Sequence, residues 1–235
     1  AGFFPLPLRL ACAGFLGMGL LGLGWKLRIK KPDFALPVQG AAIGILFLDL
    51  FASYRIFDIL PPELAMGCSL VVVVLTAILA VLQSSQILAV FAIVSGFIAP
   101  IAMSSGSGNY IGLFSFYAIL NLGVFFIAWF KSWRMLNTLA FVFTYAIATS
   151  WGVFEYSSEN FWPSEFFLIL FYFLFSGVSL LFAQRKYRGV RGYVDGALVF
   201  ALPIVTFSMQ SALVENDPLK LAFSAGFMAL HYLGT

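Results

Sequence analysis

The chain has little charge and few of the residues that build catalytic and metal centres. Charged side chains make up 10% of its 235 residues, whereas an ordinary soluble domain carries about 25%. It has one histidine, His231, and two cysteines, Cys12 and Cys68, which both lie in apolar segments. These residues form neither a zinc signature nor a C-x-x-C motif, and one histidine gives no support for Ser–His or Cys–His catalysis. We therefore expect no metal, no cofactor and no catalytic residue.

Apolar residues are abundant instead, at 62% of the chain. They form nine runs long enough to cross a bilayer or nearly so. In lipid, each backbone amide must be hydrogen-bonded within its own segment, so these runs are expected to be helices. The predicted spans are 6–25, 35–57, 64–82, 87–103, 111–130, 135–154, 166–184, 194–214 and 219–235. The predicted fold class is an all-α membrane protein, a polytopic bundle of about nine transmembrane helices with short loops.

The loops between these spans alternate in charge. Cytoplasmic loops of membrane proteins collect Lys and Arg. Ten of the thirteen basic residues lie in every second loop: Lys26, Arg28, Lys30, Lys31, Lys131, Arg134, Arg185, Lys186, Arg188 and Arg191. We therefore predict that the basic loops are cytoplasmic and that the N-terminal end lies outside. Membrane lipids are the expected partners, and a nucleic-acid partner is not expected because topology accounts for the cations.

The stretch "GMGLLG", residues 17–22, matches the G-x-G-x-x-G motif of dinucleotide-binding proteins. That motif binds a pyrophosphate only where a strand enters a tight turn and a helix begins. Here the flanking residues Leu10 to Trp25 form an uncharged apolar run without alternation. Ala13, Gly17 and Gly24 fall on one face at helical spacing, as in helices that pack closely in membranes. The motif is therefore interpreted as part of a glycine-rich membrane helix.

Ionisable residues within spans are costly and mark a pair, a pathway or a site. Asp49 lies inside the second span, with Arg55 near the end of that span and Arg9 near the start of the first. At about 1.5 Å per residue, Arg9 and Asp49 lie at similar heights above the turn that joins the two spans. Arg55 and Asp58 are expected to share a helical face. A structural ion-pair cluster is favoured, and a transport or proton pathway through Asp49, Arg9 and Arg55 is the open alternative.

Three further polar residues lie centrally in spans: Asn121, Gln210 and His231. Each is more commonly an interhelical hydrogen-bond partner than a ligand site. If the protein moves a solute, however, these residues are candidates for its pathway, together with the charged residues of the first two spans.

Two loops on the predicted outer side also invite a functional interpretation. The stretch "EYSSENFWPSE" contains Glu155, Glu159 and Glu165, and carboxylates can serve acid–base chemistry on a headgroup. Pro100 precedes a Gly/Ser-rich turn and is expected to interrupt its helix, as in many transporters. Solvated charges and a plain surface turn explain the same features, so a role without catalysis is favoured.

A weak internal repeat is visible when the first four spans are laid over the next four. Trp25 then matches Trp129, and Pro100 matches Pro203, at a nearly constant separation. Because each unit has four spans, the copies at 1–104 and 105–214 would form a parallel tandem repeat. The whole of 1–235 is expected to be one transmembrane domain and a fragment of a longer chain.

Three stretches make the chain resemble a family of bacterial multi-pass predicted membrane proteins, the domain of unknown function numbered 2339. They are "LGLGWKLRIKKPDFALPVQGAAIGILFLDLFASYRIFDILPP", "SGFIAPIAMSSGSGNYIGLFSFYAILNLGVFFIAWFKSWRMLN" and "YVDGALVFALPIVTFSMQSALV". The resemblance implies a helical inner-membrane protein that is part of a longer chain. It carries no activity, substrate or site residue onto these positions.

Three functions remain open on this evidence. The first is transport or binding of a small solute or lipid between the helices, which predicts a mid-membrane polar cavity lined by Asp49, Asn121 or Gln210. The second is a structural or assembly role in the cell envelope, which predicts that those groups are paired and dry. The third is a membrane enzyme acting on an outer-leaflet headgroup, which requires a cleft beside the three outer glutamates.

Overall fold

The computed structural model describes residues 5–102, 109–183 and 193–214, together with five single positions at 218, 222, 225, 226 and 229. Within these ranges the chain forms eight α-helices and no strand. The helices are α1 Leu6–Lys30, α2 Pro32–Phe51, α3 Pro62–Leu82, α4 Gln86–Ala102, α5 Tyr110–Phe130, α6 Arg134–Phe154, α7 Phe161–Ala183 and α8 Tyr193–Leu213. A π-helix, Ala52–Ile56, prolongs α2, and a short 3₁₀ turn, Ser158–Asn160, precedes α7.

The helices follow the predicted spans closely, and six of the described segments are long and apolar enough to cross a membrane. The helical part of the predicted fold class is confirmed. The predicted ninth span, 219–235, lies outside the described residues except for single positions, so the number nine is not confirmed.

Three boundaries and interruptions differ from expectation. Helix α1 continues to Lys30, because the turn consists of Lys31 alone and Pro32 begins α2 directly. Helix α7 begins at Phe161, before the predicted start, since a proline such as Pro163 is tolerated in the first turn of a helix. Helix α4 continues through Pro100 to Ala102, so the expected interruption at that proline is wrong.

The chain divides into two compact units, residues 1–107 and 108–235. In unit 1, α2 contacts α1, α3 and α4, and α3 packs against α4. In unit 2, α5 and α8 each pack against both α6 and α7. Three of these four pairings recur at corresponding positions in the two units, whereas the third helix packs on the second helix in unit 1 and on the first helix in unit 2. The proposed tandem repeat stays a prediction.

Glycines bring α1 and α2 of unit 1 into close contact. A Cβ atom at Gly24 would lie 2.5 Å from Cγ of Gln39 and 3.2 Å from the carbonyl oxygen of Ala35. At Gly17 it would lie 2.8 Å from Cγ of Leu46. Both glycines are buried, as expected for the small face of α1. The G-x-G-x-x-G motif thus lies wholly inside a helix, without the strand and turn that pyrophosphate binding requires.

A buried amide pair connects α2 to the end of α3. Gln39 is fully buried, and its Oε1 accepts a hydrogen bond of 2.8 Å from Nε2 of Gln83. Because the Gln39 side chain also lies against Gly24, the same residue touches α1. The end of α1 and the turn after α3 are therefore held at the same end of unit 1.

We predict that Gly24→Ala destabilises the protein by about 1–3 kcal/mol, because the added methyl group overpacks the contact with Gln39. The matched control is Gly22→Ala, since nothing lies within 4 Å of a Cβ atom at Gly22. SDS-induced unfolding of the purified protein in mixed micelles measures both variants. Equal stability of the two variants would contradict the proposed close contact.

Candidate functional site

The helices of unit 2 surround a partly open cavity of about 150 Å³. Its lining residues come from all four helices, α5 to α8, and from the connection that follows α6. The largest side chains around it are aromatic, and they include Phe114, Tyr145, Trp151, Phe167 and Phe171. The cavity is thus a predominantly apolar space within the helical bundle.

Contacts among the rings hold the aromatic wall in place. The ring of Phe114 packs edge-on against Trp151, with 5.2 Å between centroids, and lies 5.5 Å from Phe167. Trp151 in turn stacks on Tyr110 at 4.9 Å. Aromatic pairs at these separations each add about 0.5–1.5 kcal/mol beyond the area they bury. The rings therefore form one continuous surface rather than a set of separate side chains.

The four hydroxyl groups on the lining already have hydrogen-bond partners. The Thr206 hydroxyl donates to the carbonyl of Leu202 at 2.7 Å, so it accepts from the hydroxyl of Tyr145, which lies 3.2 Å away. The other three hydroxyls donate to backbone carbonyls: Thr149 to Tyr145, Tyr156 to Leu213 and Ser164 to Asn160. A ligand in the cavity would meet no free hydroxyl donor among these groups.

The cavity opens sideways between α6 and α8. Of its lining residues, Thr149, Val153 and Ala212 are exposed on the surface of the described part of unit 2. Gly152 lies between the first two, and nothing is within 4 Å of a Cβ atom placed on it. Small residues thus leave a gap in the seam between the two helices. We call this gap, formed by Thr149, Gly152, Val153 and Ala212, the lateral opening.

Two contacts between α6 and α8 border the lateral opening. On one side the hydroxyl of Thr149 lies 3.8 Å from Sδ of Met209. On the other, the Tyr156 hydroxyl donates to the carbonyl of Leu213 at 2.7 Å. That carbonyl belongs to the last turn of α8, where helical partners run out. The opening is therefore limited to about two helical turns.

Two of the predicted pathway residues are buried in unit 2 but do not line this cavity. Asn121 donates to the Thr144 hydroxyl at 2.8 Å, and both residues are buried. Gln210 is fully buried and forms a side-chain hydrogen bond with Glu165. These groups link α5 to α6 and α8 to α7, which is the arrangement expected of interhelical hydrogen-bond partners.

In unit 1, the carboxylate of Asp49 lies beside a glycine of α1. A Cβ atom at Gly14 would lie 3.2 Å from Oδ2 of Asp49, so this carboxylate faces α1 at that glycine. Its Oδ1 is buried and has no hydrogen-bond partner in the part of the chain that the structure describes. Arg9 is exposed and lies five residues from Gly14, about 7.5 Å along the helix. The carboxylate of Asp49 therefore lies beside Gly14, whereas Arg9 was expected there.

Arg55 does not share a helical face with Asp58. The π-helix ends at Ile56, and Asp58 adopts a positive φ of 51°. Both charged side chains are exposed. The expected pair is wrong because the helix does not continue as far as its second member.

The remaining candidates give no further site. His231 lies outside the described residues, and within them no three His, Cys, Asp or Glu residues are placed to hold a metal. Glu155 and Glu159 are exposed, whereas Glu165 is bonded to Gln210. The three glutamates that an enzyme would use are therefore not directed into one cleft.

Sequence reasoning missed the residues that form the cavity. Tyr145, Thr149 and Gly152 lie in an otherwise apolar helix, where such residues are common. It also missed Asn137, which is 1% exposed and whose amide has no partner among the described residues. Its polar side chain near the start of α6 is a signal of the same kind as Asn121. For the cavity no comparable signal existed, because it arises from how four helices meet.

Comparison with known proteins gives one match. The family model described as "Predicted membrane protein (DUF2339)" matches residues 1–235, the whole chain. Searches of the curated proteins and of the solved structures found no match. The match agrees with the apolar helices and confirms the resemblance noted in the sequence. This chain therefore belongs to the family of predicted membrane proteins defined by the domain of unknown function 2339.

Proposed function

We propose that unit 2 binds the end of a lipid hydrocarbon chain in its cavity. The observation that carries this proposal is a cavity of about 150 Å³ with an aromatic wall, in which the lining hydroxyls are already hydrogen-bonded. Burying apolar surface there is favourable, at roughly 25 cal/mol per Å².

The size of the cavity limits its occupant. An apolar cavity of about this volume in another protein stays dry and takes up benzene or xenon. The space therefore suits a terminal segment of an acyl or isoprenoid chain, with the rest of the lipid remaining outside. The lateral opening supports this, because a chain end can enter from the surrounding bilayer between α6 and α8.

A polar solute fits this cavity less well. It would have to break existing hydrogen bonds or leave its own polar groups unpaired, at about 1–3 kcal/mol for each unsatisfied group. The polar residues that a solute pathway was expected to use, Asn121 and Gln210, are bonded elsewhere. These pairings favour a structural role for both residues, while the cavity favours a lipid ligand.

We predict that Gly152→Leu blocks the site and lowers labelling of the cavity by a photoactivatable lipid at least tenfold. The introduced side chain has room, because Gly152 faces open space, and it then occupies the volume of the ligand. The lipid carries a diazirine at its chain end, the protein is reconstituted in nanodiscs, and peptide mass spectrometry locates the label.

The matched control is Gly123→Leu on α5, which also has no neighbour within 4 Å of a Cβ atom and is exposed. It should leave the labelling of Phe114, Phe167 and Phe171 unchanged. Label spread evenly over the exposed helix faces, with none on these residues, would refute lipid binding in the cavity.

We further propose that Asp49 serves a proton or cation pathway. A carboxylate without a hydrogen bond at Oδ1 inside a membrane-spanning helix is costly, and such residues commonly mark pathways. The π-helix that follows supports this, because π-bulges are frequent at functional sites. The ion-pair cluster that would explain the charge structurally has no support from the surroundings of Asp49.

Stability measurements distinguish a pathway role for Asp49 from a structural ion pair. We predict that Asp49→Leu, which is nearly isosteric, raises the SDS concentration at the unfolding midpoint, because it removes a buried polar group without breaking a bond. Loss of about 3–5 kcal/mol, the cost of breaking a buried ion pair, would instead show that Asp49 has a charged partner. The exposed Asp58→Leu is the control, and Asp49→Asn tests loss of proton flux in proteoliposomes.

We also propose that the protein lies in the bacterial inner membrane with its basic ends in the cytoplasm. Two hydrogen bonds support this topology, because each joins residues that it places near the same side of the membrane. They are Gln39 with Gln83 in unit 1 and Tyr110 with Asn160 in unit 2. We predict that Lys131→Cys is protected from a membrane-impermeant maleimide in intact cells, whereas Glu155→Cys reacts. The reverse pattern would invert the proposed orientation.

A further inference from the structure

The end of α1 carries a dense group of cations. Lys26, Arg28 and Lys30 lie in its last two turns, and Lys31 forms the turn to α2. Because α1 continues beyond its apolar stretch, these residues extend the helix past the segment expected in hydrocarbon. All but Arg28 are exposed. We call residues Trp25 to Lys31 the basic turn.

Arg28 is held against the aromatic ring of Trp25. Its guanidinium carbon lies 3.2 Å from the ring centroid, at the spacing of a stacked cation–π contact. A guanidinium stacked in this way keeps the N–H groups at its edge available, and their fork matches the oxygens of a phosphate. The contact therefore orients a phosphate-binding group before any ligand is present.

The cations of the basic turn are not neutralised within unit 1. In the part of the chain that the structure describes, Lys26, Arg28, Lys30 and Lys31 form no ion pair. The nearest carboxylate along the sequence, Asp33, is exposed in the first turn of α2. A favourable interaction with the helix dipole accounts for part of this charge but is worth only about 0.3–1 kcal/mol per residue.

We propose that the basic turn binds the phosphate of an anionic lipid headgroup. Four cations next to a membrane-spanning helix are the composition that attracts anionic lipids, and a tryptophan suits the depth of the headgroups. Lys26 and Lys30 lie one turn apart and share a helical face, whereas Arg28, two residues from each, projects from another side of α1, so the basic turn presents cations around the end of the helix. This site is in unit 1 and does not depend on the cavity proposed for unit 2.

Titration of the purified full chain with lipid, followed by native mass spectrometry, tests the proposal. We expect phosphatidylglycerol to bind and phosphatidylcholine to bind at least tenfold more weakly. Each cation near a membrane surface contributes about 1 kcal/mol. Arg28→Gln should therefore weaken phosphatidylglycerol binding about fivefold or more, and added salt should weaken it further.

Two variants distinguish a specific phosphate site at Arg28 from nonspecific electrostatic attraction between the cations and anionic lipid. Arg28→Lys keeps the charge but loses the fork, so we expect weaker binding than in the unmodified protein. Lys131→Gln removes one cation from the turn between α5 and α6, and we expect it to leave affinity unchanged. If Lys131→Gln weakened binding as much as Arg28→Gln, or if Arg28→Lys bound normally, the proposed site would be overturned.

A competition experiment identifies the source of the phosphate. Inorganic phosphate added at millimolar concentration should not displace phosphatidylglycerol, because the lipid is also anchored in the micelle. Complete displacement would show that the turn binds free phosphate and would overturn the assignment to a lipid.

Discussion

The structure depends on one constraint: inside a bilayer, polar groups have no water to bond and must find partners within the protein. Side-chain hydroxyls satisfy this constraint by donating hydrogen bonds to carbonyls of their own helix. Thr76, Ser179 and Thr206 each donate to the residue four positions earlier. Amides meet it between helices, as Asn121 does with Thr144 and Gln39 with Gln83. Exceptions to this rule are informative, because an unpaired group in lipid costs several kcal/mol.

The two units use side chains of different size to bring their helices together. In unit 1, Gly17 and Gly24 allow α1 and α2 to approach until a methyl group would not fit at either position. In unit 2, rings such as Phe114, Trp151 and Phe171 lie between the helices. These rings leave one space between the helices unfilled, which is the cavity of unit 2. Small residues thus give a close helix pair in unit 1, and large rings line a cavity in unit 2.

The same constraint divides the polar residues into two groups. Asn121 and Gln210 are buried, and each forms a hydrogen bond to a neighbouring helix, as a structural role requires. Asp49 faces Gly14 with a buried oxygen that has no hydrogen bond, and Asn137 is buried without a partner among the described residues. Stability does not explain these two groups. Ionisable groups kept inside a membrane at such a cost generally serve function, as we propose for Asp49.

Composition and hydrophobic runs by themselves determined the class of protein, the helices and most of their ends. This is possible because the apolar length needed to cross a bilayer is a local property of the chain. The small face of α1 at Gly17 and Gly24 was also predictable, since helical spacing places such residues together. Local signals failed where a helix continued past a proline, as at Pro100 and Pro163. Only the tertiary structure decided that Asp49 meets Gly14, that Arg28 lies on Trp25, and that four helices leave a cavity beside Gly152. Those contacts depend on the rotation and spacing of whole helices, which side-chain packing sets and which no single span encodes.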